Sequence, residues 1–138
     1  MGAKAYIDSS ALLKLVVEEA ETAALEADLA GREGLLASRL AVLECRRAVR
    51  RVRHRRMLQA VDALFEAVYL LDITAPILEA AAAMEPPLLR SLDAIHIATA
   101  VSIGDPDLEV ITYDDRCAAA ARANGLVVVA PGTVGSKK

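Results

Sequence analysis

Asp8, Glu44, Asp93 and Asp114 are acids in places that solubility does not explain. Asp8 closes the apolar run Ala5, Tyr6, Ile7, and Asp114 follows the strand-like Val110, Ile111, Thr112. Glu44 interrupts the apolar lane Ala37, Leu40, Ala41, Ala48, and Asp93 opens the apolar stretch 93–98. Solvating charges belong on polar faces, whereas these fall at the ends of buried strands or inside apolar helical stripes. Two carboxylates about 4 Å apart repel by roughly 4 kcal/mol at an effective dielectric near 20. A fold that gathers all four therefore needs a cation, and oxygen-only ligands select a hard one, Mg2+ or Mn2+. Such an ion points to phosphate chemistry.

Each acid also has a structural account. Asp8 beside Ser9 and Ser10 can cap a helix, and Asp93 after Ser91 can serve a helix dipole worth about 0.3–1 kcal/mol. Asp114 with Asp115 can start a turn and cap the next helix. Glu44 can pair with Arg47 or Arg51. What favours a site is the joint placement of all four on one edge of the fold. His96, three residues after Asp93, sits on an apolar helix and reads as a packed, hydrogen-bonded histidine without a catalytic role. Cys45 and Cys117 are lone thiols without zinc or redox spacing and read as packing.

The elements alternate. A strand at 4–7 leads to a helix through Leu12, Leu13, Leu15 and Val16, with Ser9 or Ser10 as its cap. A helix at 21–30 stops at Gly31, and 35–37 reads as a second strand. Ser38 can cap the long helix that carries Glu44. A helix at about 57–67 precedes the strand 68–71, and a helix at 75–84 ends before Pro86 and Pro87. Ser91 caps a helix at 92–103, followed by a strand at 109–112, a helix at 115–123 and a strand at 126–129. Strands alternating with helices predict an α/β fold with a parallel sheet covered on both faces. Ligands of such sheets gather at the carboxyl ends of the strands, where Asp8 and Asp114 fall.

A length of 138 residues, 55% hydrophobic and 25% charged, suits a single globular domain over 1–131, with a flexible tail at 132–138. There is no uncharged apolar run long enough to cross a bilayer, and Met1 leads into a strand without a signal peptide, so a cytoplasmic protein is expected. The net charge of −3 conceals a basic segment at 46–56 with seven arginines. Arg46, Arg50 and Arg53 share one helical face and can form a track for nucleic-acid phosphates or a solvated face.

The segments Tyr6-Ile7-Asp8-Ser9-Ser10-Ala11-Leu12-Leu13, Leu92-Asp93-Ala94-Ile95-His96-Ile97-Ala98 and Ile111-Thr112-Tyr113-Asp114-Asp115-Arg116, with Glu44 between them, resemble the PIN-domain nucleases. The resemblance covers about residues 4–130 and is nearest to the VapC-type toxins of type II toxin–antitoxin modules. It implies a three-layer α/β/α sandwich around a parallel, mostly five-stranded sheet, and a Mg2+- or Mn2+-dependent endoribonuclease. Asp8, Glu44, Asp93 and Asp114 take the family's acidic positions. Asp8, Asp93 and Asp114 are the implied ligands of one or two ions, and Glu44 completes the shell or orients the attacking water. Asp115 competes with Asp114 for the fourth role. Ser10 and Thr112 are implied as supporting groups that position water or a phosphate oxygen. A homodimer and a small DNA-binding antitoxin are the implied partners beside the RNA substrate. The rivals are a receiver-like, Mg2+-binding regulatory domain and a catalytically silent PIN-fold partner.

Overall fold

The computed structural model describes residues 2–51 and 55–133. The strands are β1 (Ala5–Ile7), β2 (Leu35–Ser38), β3 (Tyr69–Leu71), β4 (Glu109–Ile111) and β5 (Val127–Val129). The helices are α1 (Ser9–Lys14), α2 (Thr22–Ala30), α3 (Leu40–Arg50), α4 (Arg55–Phe65), α5 (Ala75–Ala82), α6 (Ser91–Ile103) and α7 (Asp115–Ala123). All strand pairings are parallel, in the order β3-β2-β1-β4-β5. The expected alternation and parallel sheet are therefore present. This order differs from the 2-1-3-4-5 order of receiver-like domains, which removes that rival.

Side-chain alternation divides the core. Ala5 and Ile7 of β1, Ala37 of β2 and Ile111 of β4 face one layer, where they meet Ala11 and Leu12 of α1, Leu25 of α2, Cys45 and Val49 of α3, and Val61 and Phe65 of α4. Tyr6 and Val110 face the other, against Ile97 and Ala100 of α6 and Cys117, Ala120 and Ala121 of α7. With both faces covered, β1 is buried along its whole length, as a central parallel strand must be. Each fully buried Ile or Leu of this core contributes about 1.5–3 kcal/mol. The result is a three-layer α/β/α sandwich.

The connections leaving β1 and β4 pass to opposite layers: β1 runs into α1 on the Ile7 side, and β4 runs into α7 on the Tyr6 side. The carboxyl ends of these neighbouring strands therefore flank a crevice, the place where open α/β sheets bind ligands. The amino edge of the sheet is closed differently. Arg32 pairs there with Asp28 (Nε to Oδ1, 2.8 Å) and Glu109 (Nη1 to Oε1, 2.6 Å).

Helix starts decide between the open choices at α1 and α7 and differ from the sequence reading at α3 and α6. Asp8 itself caps α1, accepting from the Ala11 N–H at 3.1 Å, and neither Ser9 nor Ser10 does so. The longer reach of the aspartate suits the third amide, and Ser10 is left to bond the aspartate. Arg39 stands at the N-cap of α3 without a side-chain bond, although Ser38 Oγ accepts from the Leu40 N–H at 3.1 Å. Ser91 is the first residue of α6, behind Arg90. Asp114, and not Asp115, caps α7, accepting from the N–H groups of Arg116 (2.9 Å) and Cys117 (3.3 Å). Arg53 and 134–138, part of the expected arginine track and most of the expected tail, lie outside the described residues. Pro131 and Thr133 are held, the carbonyl of Pro131 accepting from Tyr113 Oη at 2.7 Å.

Candidate active site

Asp8 is only 4% exposed, immediately beyond β1. Its Oδ1 accepts from Ser10 Oγ at 2.6 Å and from the Ala11 amide, and its Oδ2 accepts from Thr112 Oγ1. A hydrogen bond to a charged group contributes about 1.5–3 kcal/mol, while burying a lone carboxylate costs several. Burial wins here: it holds the Asp8 carboxyl above its ordinary range although Ser10 and Thr112 pull it down. A carboxylate has about four lone-pair positions. Three are in use, so Asp8 can offer about one more contact, in a fixed direction.

Ser10 and Thr112 tie β1 to β4. Ser10 Oγ accepts from the Tyr113 N–H at 2.9 Å and lies 3.4 Å from Thr112 Oγ1. Thr112 Oγ1 in turn accepts from the Asp114 N–H at 3.1 Å. The two hydroxyls thus set the loop that carries the next acid.

Asp93 lies in the first turn of α6, half-buried. Its carboxyl is raised first by burial and next by the charge of Asp114, with Asp8 adding to the effect. The structure therefore brings Asp8, Asp93 and Asp114 into one electrostatic neighbourhood. Asp115 is exposed, and Asp114 is partly buried. Unlike the acids at the amino edge, Asp8, Asp93 and Asp114 form no ion pair among the described residues.

Glu44 reaches the same edge from α3, with its side chain 23% exposed. Its partner is neither Arg47 nor Arg51. His96 Nε2 of α6 lies 2.7 Å from Glu44 Oε1, and His96 Nδ1 lies 2.8 Å from Tyr6 Oη. His96 is 3% exposed, in keeping with a packed histidine, but the sequence reading missed its partners. One signal was available: a tyrosine in an otherwise aliphatic, buried strand must find a partner for its hydroxyl.

The donor set, all oxygen and crowded by repulsion that burial does not relieve, fits a hard divalent ion in kind. Among the described residues, no three His, Cys, Asp or Glu side chains close on one point tightly enough to enclose one. The cysteines do not contribute. Burial pushes the Cys45 thiol up to about 12 and raises Cys117 likewise, so both stay protonated and inert.

Arg46, Arg47, Arg50 and Arg51 are exposed, and with Arg55, Leu43 and Leu58 they line a groove of 1260 Å³ between α3 and α4. Arg46 is held by Asp62 of α4, with Nη2 to Oδ1 at 3.0 Å. No described helix is long and apolar enough to cross a membrane.

A three-layer sheet with an acidic carboxyl edge defines a class of protein, and comparison with known proteins gives its family. Residues 5–123 match the model of the PIN domain, and the chain belongs to the PIN-domain family. Within it the chain stands with the VapC proteins: it is 43% identical over 131 residues to Ribonuclease VapC35 of Mycobacterium tuberculosis, covering 92% of this chain and 96% of that one. VapC20 of the same organism, described as a sarcin–ricin loop cleaving toxin, shares the fold with a TM-score of 0.74 at 19% identity, over 92% of this chain and 99% of that one. VapBC2 of Rickettsia felis, solved on a DNA fragment from its promoter, superposes with a TM-score of 0.72 at 10% identity, over 93% and 98% of the two chains.

Proposed function

We propose that the protein is a divalent-metal-dependent endoribonuclease, the toxin of a type II toxin–antitoxin pair, which hydrolyses RNA phosphodiester bonds at the carboxyl edge of its sheet. The observation that supports this reading is the placement of Asp8 and Asp114 just beyond neighbouring parallel strands, with the Asp93 carboxyl raised by burial and by the charges of both. The relative named a ribonuclease supports the substrate class. Asp8, Asp93 and Asp114 would hold Mg2+ or Mn2+, one ion or two, with Asp114 preferred to Asp115. When bound, such an ion supplies a low pKa for its water and neutralises charge on the phosphoryl oxygens and the leaving group.

The chain's own residues perform the remaining work. Ser10 and Thr112 fix the Asp8 carboxylate, so that its last contact is aimed before substrate arrives. Glu44, hydrogen-bonded by His96, orients the attacking water and can take its proton. Arg46 and Arg50, with Arg53, offer guanidinium groups to phosphates flanking the cut. A small DNA-binding antitoxin is the proposed inhibitor, and a homodimer the proposed assembly; the VapBC2 structure on promoter DNA supports the first. Arginine suits an acidic edge because its planar fork bonds two carboxylate oxygens at once.

The direct test is cleavage of a defined RNA by purified protein with Mg2+ or Mn2+ and with EDTA. Asp93→Asn should lower cleavage by more than the roughly tenfold to hundredfold typical of an outer-shell change. Asp114→Asn should cost more than Asp115→Asn. Full cleavage in EDTA, or by Asp93→Asn, would sink the proposal.

A further inference from the structure

Tyr6 and His96 are almost fully buried, yet both keep polar atoms that packing alone does not require. The phenolic oxygen of Tyr6 lies 2.8 Å from His96 Nδ1. In a neutral imidazole one nitrogen donates and the other accepts. With Nδ1 accepting, the proton sits on Nε2 and is donated to Glu44 Oε1 at 2.7 Å. In that tautomer both bonds run in the same direction: Tyr6 O–H to His96 Nδ1, and His96 Nε2–H to Glu44. Three elements are threaded, with β1 and α6 behind the imidazole and α3 in front of it.

A glutamate has three rotatable bonds and, partly exposed, would sample many orientations. The bond to His96 occupies Oε1 and leaves Oε2 available for chemistry. On the nuclease reading above, we propose that Tyr6 and His96 are positioning residues: Tyr6 fixes the His96 tautomer, and His96 thereby fixes the Glu44 carboxylate at the acidic edge. Neither touches substrate. The arrangement is analogous to the outer partners that orient ligating side chains in metal sites, whose loss costs about tenfold to a hundredfold in affinity or activity.

The test uses Tyr6→Phe, which keeps the ring and removes only the hydroxyl. The Nε2–H form then loses the donor that paired its Nδ1, and Glu44 is held less constantly. RNA cleavage should fall roughly tenfold in kcat with KM little changed, as an outer-partner loss implies. Adding His96→Gln to Tyr6→Phe should recover most of that loss, because an amide presents N–H near the Nε2 position without depending on a tautomer. A purely structural role for the pair does not give rescue by a second core substitution. Long-range 1H–15N correlation of the imidazole provides a readout independent of activity: the wild type should show the Nε2–H form, and Tyr6→Phe should shift toward a mixture.

An Nδ1–H imidazole in the wild type overturns the inference, as does a folded Tyr6→Phe with unchanged kcat or a double variant no better than the single. A wild-type protein that cleaves no RNA overturns the nuclease reading instead. The tautomer measurement then still decides whether the hydrogen-bond chain exists.

Discussion

Asp8 combines two duties that are normally separate. It caps α1 and it stands among the acids of the site. Asn caps as well as Asp, whereas Ala at an N-cap costs about 0.5–2 kcal/mol. Asp8→Asn should therefore remove the charge and spare the helix, while Asp8→Ala should lose both; thermal melts of the two variants would separate the effects. The pH dependence follows from sign. The folded carboxyls of Asp8 and Asp93 are raised above their unfolded values, chiefly by burial. Between the two values the native state holds more protons than the unfolded one, so stability falls as pH rises through that window. The metal-free protein should be more stable just above the ordinary carboxylate range than at neutrality, and Asp8→Asn should flatten the slope in chemical denaturation. An identical slope in the variant would show that Asp8 carries no raised pKa.

Among the elements, α3 joins the site to the groove. Glu44 and Arg50 are six positions apart, about 9 Å along the axis at 1.5 Å per residue. A strand cut at the acidic edge would have to extend at least that far to reach Arg50. Each such contact on a single strand should contribute about 0.7 to the negative slope of log K against log[salt]. Arg46→Gln with Arg50→Gln should weaken RNA binding at low salt and flatten that slope while leaving metal binding intact. Arg50 should dominate, because Arg46 is already engaged by Asp62. An unchanged slope, with loss of dimer or antitoxin binding, would assign the groove to a protein partner.

The same scale explains what was legible. Strands and helices were readable because apolar runs and Gly or Pro stops are local, and the acids at strand ends were readable because a parallel sheet puts those ends on one edge. Caps stayed undecided between neighbouring Ser and Asp, where the choice depends on which side chain reaches the third amide. The Glu44–His96 bond was out of reach because it spans two helices far apart in sequence; nearby arginines looked like better partners only along the chain. The assignment of the acids to metal rests on chemistry that no periodicity records.

For the whole molecule, the relevant balance is between repulsion at the carboxyl edge and the ion pairs that close the amino edge. Mg2+ or Mn2+ should raise the melting temperature of the wild type, with a gain of about 2.7 kcal/mol at a hundredfold excess over Kd. Asp8→Asn and Asp93→Asn should show much smaller shifts, and equal shifts in all three would remove the site from these residues.

The bond between Thr112 and Asp8 joins positions 104 apart in sequence. Since β1 is flanked by β2 on one side and by β4 on the other, an early portion of the chain can pair β1 with β2 but leaves its other side open. Chains emerge from the ribosome amino end first, at about 5–20 residues per second. A nascent or prematurely terminated product that stops short of Glu109 therefore contains Asp8, Glu44 and even Asp93 without the strand that locks them together. Harmful activity would belong to the finished polypeptide alone, and its onset would be timed by the synthesis of its last quarter.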